Sequence, residues 1–327
     1  MKMIKILFPH LLFLLLAVVA TSTLPLEKPS GKIQSARVFE ITGKRKIYLL
    51  AELHGIVGST ESQIDYSLGK MIFDLSEAIY LEPTTSNSIL GKQATITPVT
   101  DELIYPDTKQ EIKNVFTEIS KKYRGNAPFL KMLADVEERI FKSTPDVSWA
   151  LMYGIIYADA LVSGHVKTTA APGLSMVLLK HEQSVEKRKI KQIESDSFGN
   201  LVWESSCSQK NIVNQLLKSA LGYYYQPQIF LEELLTDKSF LNPSISIDEA
   251  HTTMMKKRGM SILNQCNIYS RNKQWSNVIM KHLNQSGEPI SFVLGAGHFG
   301  GDMGLLAILR INGIDYKEIT NISHLTK

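Results

Sequence analysis

The stretch Ile47-Tyr48-Leu49-Leu50-Ala51 has almost no polar face. A strand with one side in water alternates apolar and polar residues, so an unbroken apolar run needs cover on both faces. That places it in the middle of an α/β sheet. The residues before it, 36–41 (ARVFEI), alternate and turn at Gly43-Lys44, giving a neighbouring strand with one wetter side. The central run ends in Glu52-Leu53-His54-Gly55. A second apolar run, Ser291-Phe292-Val293-Leu294, ends in Gly295-Ala296-Gly297-His298, with Gly300 and Gly301 just beyond. Aligned on their histidines, the two stretches pair Ala51 with Gly295 and His54 with His298, and read as two walls of one site.

The rest of the chain alternates in the same way. Thr60 and Gln63 have capping-box spacing, and Ile64, Leu68, Met71, Ile72 and Leu75 follow at helical period. Ala78 to Leu81 is a short apolar strand ending in Glu82. A crossover of this length makes it parallel to the central strand, so Glu82 lands at the same sheet edge as His54. Residues 84–108 lack a clear period and read as a loop or lid. Helical patterns cover Lys109 to Tyr123, Ala127 to Lys142 and Pro145 to Val162. A helix follows Pro172-Gly173, and Lys189 to Glu194 alternates as a strand ending in Glu194. Helices return from Ser208 to Gln285, and a last helix from Asp302 closes at Gly313 before a final strand. The expected fold is α/β: a central mixed, largely parallel sheet built from two related α/β flanks, with a helical insertion at about 109–165.

The chain has 327 residues, 44% hydrophobic and 21% charged, enough to bury a full core and unlike a disordered chain. Lys2 and Lys5 precede an apolar run from Ile6 to Ala20, interrupted by Pro9 and His10, with small or modest side chains at Val18-Val19-Ala20. This reads as a signal peptide over 1–20, cleaved after Ala20, with an uncleaved anchor as the alternative. A polar leader over 21–34 then enters a single domain over 35–327. Secretion or a periplasmic location follows, with membrane contact only if the first segment is retained. The formal charge of +4 includes those two lysines, and the one basic run, residues 186–191, has no interleaved aromatics, which argues against nucleic acid as a partner. Cys207 and Cys266 are permitted to pair outside the cytoplasm, or stand as buried free thiols.

Ligands of a parallel α/β sheet collect at the carboxyl ends of its strands. His54, Glu82, Glu194 and His298 all fall at such ends, and glycines at 55, 295, 297 and 300 let the backbone turn or pass close to a ligand. Two imidazoles with carboxylates suit a divalent metal such as Mn, Co or Zn with a position open to water. Glu52, two residues from His54, shares its strand face and is a general base, a ligand or a structural partner. There is no His-Glu-x-x-His helix, no Gly-x-Ser-x-Gly elbow and no phosphate loop. His165, His181, His251, His282 and His324 read as bystanders, and Tyr223-Tyr224-Tyr225 as helix packing.

The segment from Ser291 to Ile319, with "YLLAELHGIVGS" and "AIYLEP", resembles the TraB/GumN family, whose relatives include the TIKI membrane proteases. The family pattern has two Gly-x-x-His motifs, a strand-end glutamate and an Arg-Asn pair before a tryptophan. Gly295 to His298, Glu82, and Arg271-Asn272 with Trp275 match these, and Glu194 falls at the glutamate of the central block. The first motif departs from the pattern, with Ala51 for glycine and Glu52 after it. Glu-x-His-Gly there is more similar to erythromycin esterases and the ChaN haem-binding proteins of the wider superfamily. The resemblance implies a metal-dependent hydrolase acting on a peptide or small molecule. His54, His298 and Glu82 would hold metal, Glu52 and Glu82 would ligate or act as base, and Arg271 and Asn272 would orient substrate. A non-catalytic haem- or peptide-binding protein using the same cleft is the alternative.

Overall fold

The computed structural model describes residues 32–82, 101–142, 151–152, 154–156, 158–160, 163, 170–185, 189–193, 209–227, 229, 238–258 and 268–320. In chain order these form β1 (Ile33–Gln34), β2 (Ala36–Ile41), β3 (Ile47–Glu52), β4 (Gly55–Val57), β5 (Ile64–Asp65), α1 (Ser67–Leu75) and β6 (Ala78–Leu81). Then come α2 (Pro106–Lys122), α3 (Ala127–Ile140), β7 (Ala170–Pro172), α4 (Leu174–Val185), β8 (Ile190–Gln192), α5 (Gln209–Tyr225), α6 (Ile247–Arg258), α7 (Ser270–Leu283), β9 (Ile290–Gly295), α8 (Leu305–Ile311) and β10 (Lys317–Ile319). The chain divides into two compact units.

The first unit contains residues 24–83, 168–195 and 233–327 and is built on a six-stranded sheet of order β10-β2-β3-β9-β6-β8. β3, β9, β6 and β8 are parallel, whereas β2 runs antiparallel to both β3 and β10. The architecture is therefore α/β with a mixed, largely parallel sheet. The two apolar runs lie side by side at its centre, every residue of β3 and β9 buried. Their register sets Ala51 opposite Leu294 and Glu52 opposite Gly295. The ladder is thus offset by one position from an alignment on the two histidines.

Phe39, Leu49, Phe292, Leu294, Trp275, Ile279, Phe299 and Leu309 form one buried cluster with this sheet. Each such side chain contributes roughly 1.5–3 kcal/mol on leaving water, which fixes the strands whose ends carry the polar groups. Thr60 and Gln63 do form a box, with Thr60 N–H donating to Gln63 Oε1 at 2.8 Å, but it closes a 3-10 turn. The α-helix begins later, at Ser67, whose N–H is held by Asp65 Oδ1 at 2.9 Å. Residues Asp302 to Met303 are likewise a turn, and α8 starts at Leu305 before Gly313 closes it at φ 75°.

The second unit contains residues 1–23, 84–167 and 196–232, so its helical part takes in more than the expected insertion at 109–165. Its described part is helical, and Ile112, Val115, Phe116, Leu133, Val136, Leu217 and Leu221 fill its core. Proline in the first turn of α2 and of α3, and the Asn126 side chain accepting Phe129 N–H, set the starts of these helices. Tyr223 and Tyr224 pack at the edge of this core, while Tyr225 is largely exposed. The signal segment, most of the loop at 84–108, the basic residues 186–188, Glu194, Cys207 and Cys266 lie outside the described residues.

Candidate functional site

Three strand ends of the sheet unit converge. His54 follows β3, Glu82 follows β6 and His298 ends the short turn after β9. His54 Nε2 lies 3.7 Å from Glu82 Oε2, and His298 Nε2 lies 3.6 Å from Glu82 Oε1. The sheet order explains the meeting, because β9 lies between β3 and β6 and all three point the same way.

Each imidazole is held from behind through Nδ1. Glu52, the buried last residue of β3, faces His54 Nδ1 with Oε1 at 3.3 Å. Its other oxygen accepts Ser175 N–H at 2.7 Å, in the first turn of α4, where free backbone donors favour a carboxylate. His298 Nδ1 lies 2.8 Å from Asn272 Oδ1. The Asn272 amide donates to the carbonyls of His298 and Met303 at 3.0 and 2.8 Å. Its nitrogen is thereby committed, its oxygen is left to accept, and the Nδ1–H form of His298 is selected.

Glu82 is the hub. Arg271 Nη1 donates to Oε1 at 2.8 Å, and Gly295 N–H donates to Oε2 at 2.8 Å. The Arg271 guanidinium lies over the Trp275 ring, 4.5 Å from its centroid, and the His298 ring contacts the same indole at 4.4 Å. One buried tryptophan on α7 therefore seats two of the polar groups. Arg271 is buried and paired with Glu82.

Burial opposes a negative charge on Glu82, but Arg271 and then the two histidines outweigh it and hold the carboxyl well below its usual range. Burial also opposes a charge on His54. The hydrogen bond with Glu52 and the charges of Glu82 and Glu52 overcome that and push the imidazole up to about 9. Half of the His54 side chain, 51%, meets solvent. Water therefore weakens these attractions without changing their direction.

Gly295 leaves the room in which these groups meet. A Cβ there would stand 3.0 Å from Glu82 Oε2, 3.2 Å from His54 Nε2 and 3.7 Å from His298 Cδ2. Two imidazole Nε2 atoms and a carboxylate around such a cradle are donors of the kind that bind Mn, Co or Zn. As placed, Glu82 is engaged by Arg271 and Gly295. No three His, Cys, Asp or Glu side chains among the described residues stand in position to share one ion. The donor types suit a divalent ion, and a single ion shared by His54, His298 and Glu82 would need Glu82 to leave Arg271 and Gly295.

Gly297 lies within the turn that carries His298. At Gly55 a Cβ would meet only Ala171 O at 3.9 Å, an ordinary contact, so sterics do not demand glycine there. His181 packs on Phe73 and His282 on Tyr80. Residues that the pattern did not single out also enter the site's frame: Ser175, which holds Glu52, and Asp248 with His251, which meet the loop after His298. The doubled glycine at 300–301 was the one signal in the sequence that something approaches closely there.

Residues 215–318, about a third of the chain, match the model of the TraB/PrgY/gumN family. The match takes in Arg271, Asn272, Trp275, Gly295 and His298. No curated protein and no solved structure matches the chain.

Proposed function

From the match of residues 215–318 to the TraB/PrgY/gumN family model, we infer a hydrolase whose site is the His54–Glu82–His298 cleft. Its cofactor is a divalent metal ion. The observation that carries this reading is the matched holding of the two imidazoles. Each has Nδ1 tied to an oxygen, Glu52 or Asn272, so each presents Nε2 to Glu82. Imidazoles that bind metal are oriented in this way by acceptors behind them.

His54, His298 and Glu82 would hold the ion, which would supply Lewis acidity and a more acidic water. Glu52 orients His54 and accepts its Nδ1–H. Asn272 orients His298. Arg271 neutralises Glu82 and, through it, would orient the substrate. Peptide as the substrate class follows from the resemblance to the TIKI membrane proteases, and a small-molecule substrate fits the same cleft. Location outside the cytoplasm follows from residues 1–20. N-terminal sequencing and fractionation of the recovered protein check it: a start at Thr21, or a start at Met1 in the membrane fraction, supports export, and a start at Met1 in the cytosolic fraction refutes it. No described helix is long and apolar enough to cross a membrane.

A second reading rests on the pairing of both Glu82 oxygens and the raised proton affinity of His54. Here no metal enters, and protonated His54, backed by Glu52, donates to the leaving group of the bond being cleaved. One experiment separates the two. The full-length protein is stripped with a chelator, and metal content and melting are followed as Mn, Co or Zn is returned. His54→Ala/His298→Ala is treated in parallel. Near one equivalent bound and a higher melting temperature in wild type alone support the metal hydrolase, as linkage requires. Hydrolysis that survives chelation and fails in His54→Ala supports the second reading. A Soret band on haem addition, lost in either histidine variant, would instead identify a haem-binding protein.

A further inference from the structure

His298 heads a loop, residues 299–304, that leads into α8. Asn272 ties this loop at the carbonyls of His298 and Met303. A second set of contacts comes from α6. Asp248, in its first turn, accepts Gly301 N–H through Oδ1 at 2.8 Å. His251, three residues on and so on the same helix face, lies directly against the loop backbone. A Cβ at Gly300 would stand 2.5 Å from His251 Cβ and 2.8 Å from Ile247 O. One at Gly301 would stand 2.8 Å from His251 Cε1 and Nδ1. Gly301 also has φ 78°, which disfavours a side chain. The two glycines let a helix face press on bare backbone within three residues of His298. The approach brings Ile247 and Ala250 of α6 into the buried cluster with Ala296 and Phe299, and on its polar side it fixes where the loop lies.

We propose that Asp248 and His251 are positioning residues for His298: by clamping Gly300-Gly301 they hold the loop so that His298 Nδ1 stays on Asn272 and Nε2 faces Glu82. The importance of this clamp rests on the reading of the cleft given above, since it serves a histidine that works there. Neither residue touches the cleft groups, so neither is catalytic. Asp248 supplies an acceptor, and His251 supplies a flat ring.

The test uses the full-length, metal-free protein with ¹⁵N-labelled histidine, and reads the tautomer of His298 by NMR, assigned with His298→Gln. Wild type is expected to show a single Nδ1–H tautomer. Asp248→Ala and His251→Ala are each expected to convert it to an averaged mixture, with the other histidine signals unmoved. Asp248→Asn keeps an acceptor oxygen and His251→Phe keeps a ring, and both are expected to retain the wild-type signal. An unchanged His298 signal in either alanine variant overturns the proposal, as does an equal disturbance in the conservative pair. Loss of all dispersed histidine signals overturns it too, because the contact would then hold the fold and not the loop. The readout needs neither metal nor hydrolysis. A failed metal titration beside the expected tautomer changes would sink the hydrolase reading and leave the clamp standing.

Discussion

Glu82 Oε1 and Arg271 Nη1 are 2.8 Å apart, with side-chain exposures of only 9% and 7%. Taking both from water is costly, and removing one partner strands the other, at about 3–5 kcal/mol. Arg271→Met is expected to lower stability by that amount in urea denaturation. A loss below about 1 kcal/mol, the size of a surface pair, would show that Glu82 has other compensation.

Gly295→Ala tests the cradle. The added methyl would crowd Glu82, His54 and His298 together, at a stability cost of roughly 1–3 kcal/mol for overpacking. Its main effect is expected on the site. Metal uptake measured by titration calorimetry should fall at least about tenfold, the equivalent of 1.4 kcal/mol, while far-UV circular dichroism stays unchanged. Wild-type affinity in this variant would mean that the room above Gly295 is not where a ligand sits.

His54 gives the protein a pH dependence. Its proton affinity rises on folding from an ordinary 6.5 to about 9. Protonated His54 therefore stabilises the fold in full below pH 6.5, and this contribution is lost as pH climbs through 9. With half of the side chain in water, about 1 kcal/mol is expected, well short of what the full shift implies. Melting of the chelated protein should fall by about 2 °C more between pH 6.5 and 9 in wild type than in His54→Gln. Parallel curves would show that the Glu52 and Glu82 attractions are not felt. Metal affinity should rise through the same window, because the ion competes with the proton.

Trp275 is fully buried between Arg271 and His298. Trp275→Ala is expected to cost about 3–5 kcal/mol, measured by denaturant midpoint, and to abolish ligand binding. Trp275→Phe keeps a ring and should retain binding at a smaller stability loss. Equal damage from both would point to the indole N–H rather than the ring face.

The central strands and their polar ends were legible because an apolar run without a wet face has one home in a sheet, and strand ends carry ligands. Glu52 and His54 meet as two-residue spacing suggests, although the strand ends at Glu52 and His54 lies just beyond it. The strand order was not legible: nothing local to Ile290–Gly295 says that it inserts between β3 and β6. Nor was the one-position offset of the ladder. His251 read as a bystander because its partners are backbone atoms of two glycines about 50 positions away along the chain, and helical periodicity does not report such contacts. Ser175 escaped for the same reason, since its contribution is a backbone N–H and any residue type supplies one.

The hydrogen bond from Gly295 to Glu82 joins residues 213 positions apart. A chain leaving the ribosome from its N-terminus has both β3 and β6 long before β9 exists to lie between them. Until then each of those two strands presents an open edge, and Glu82 is without the backbone donor of Gly295. Contacts this distant in sequence form slowly, and unpaired edges are the usual route to wrong association. The cleft is thus complete only once β9 lies between β3 and β6, and a chain stopped short of Ile290 lacks both that strand and His298.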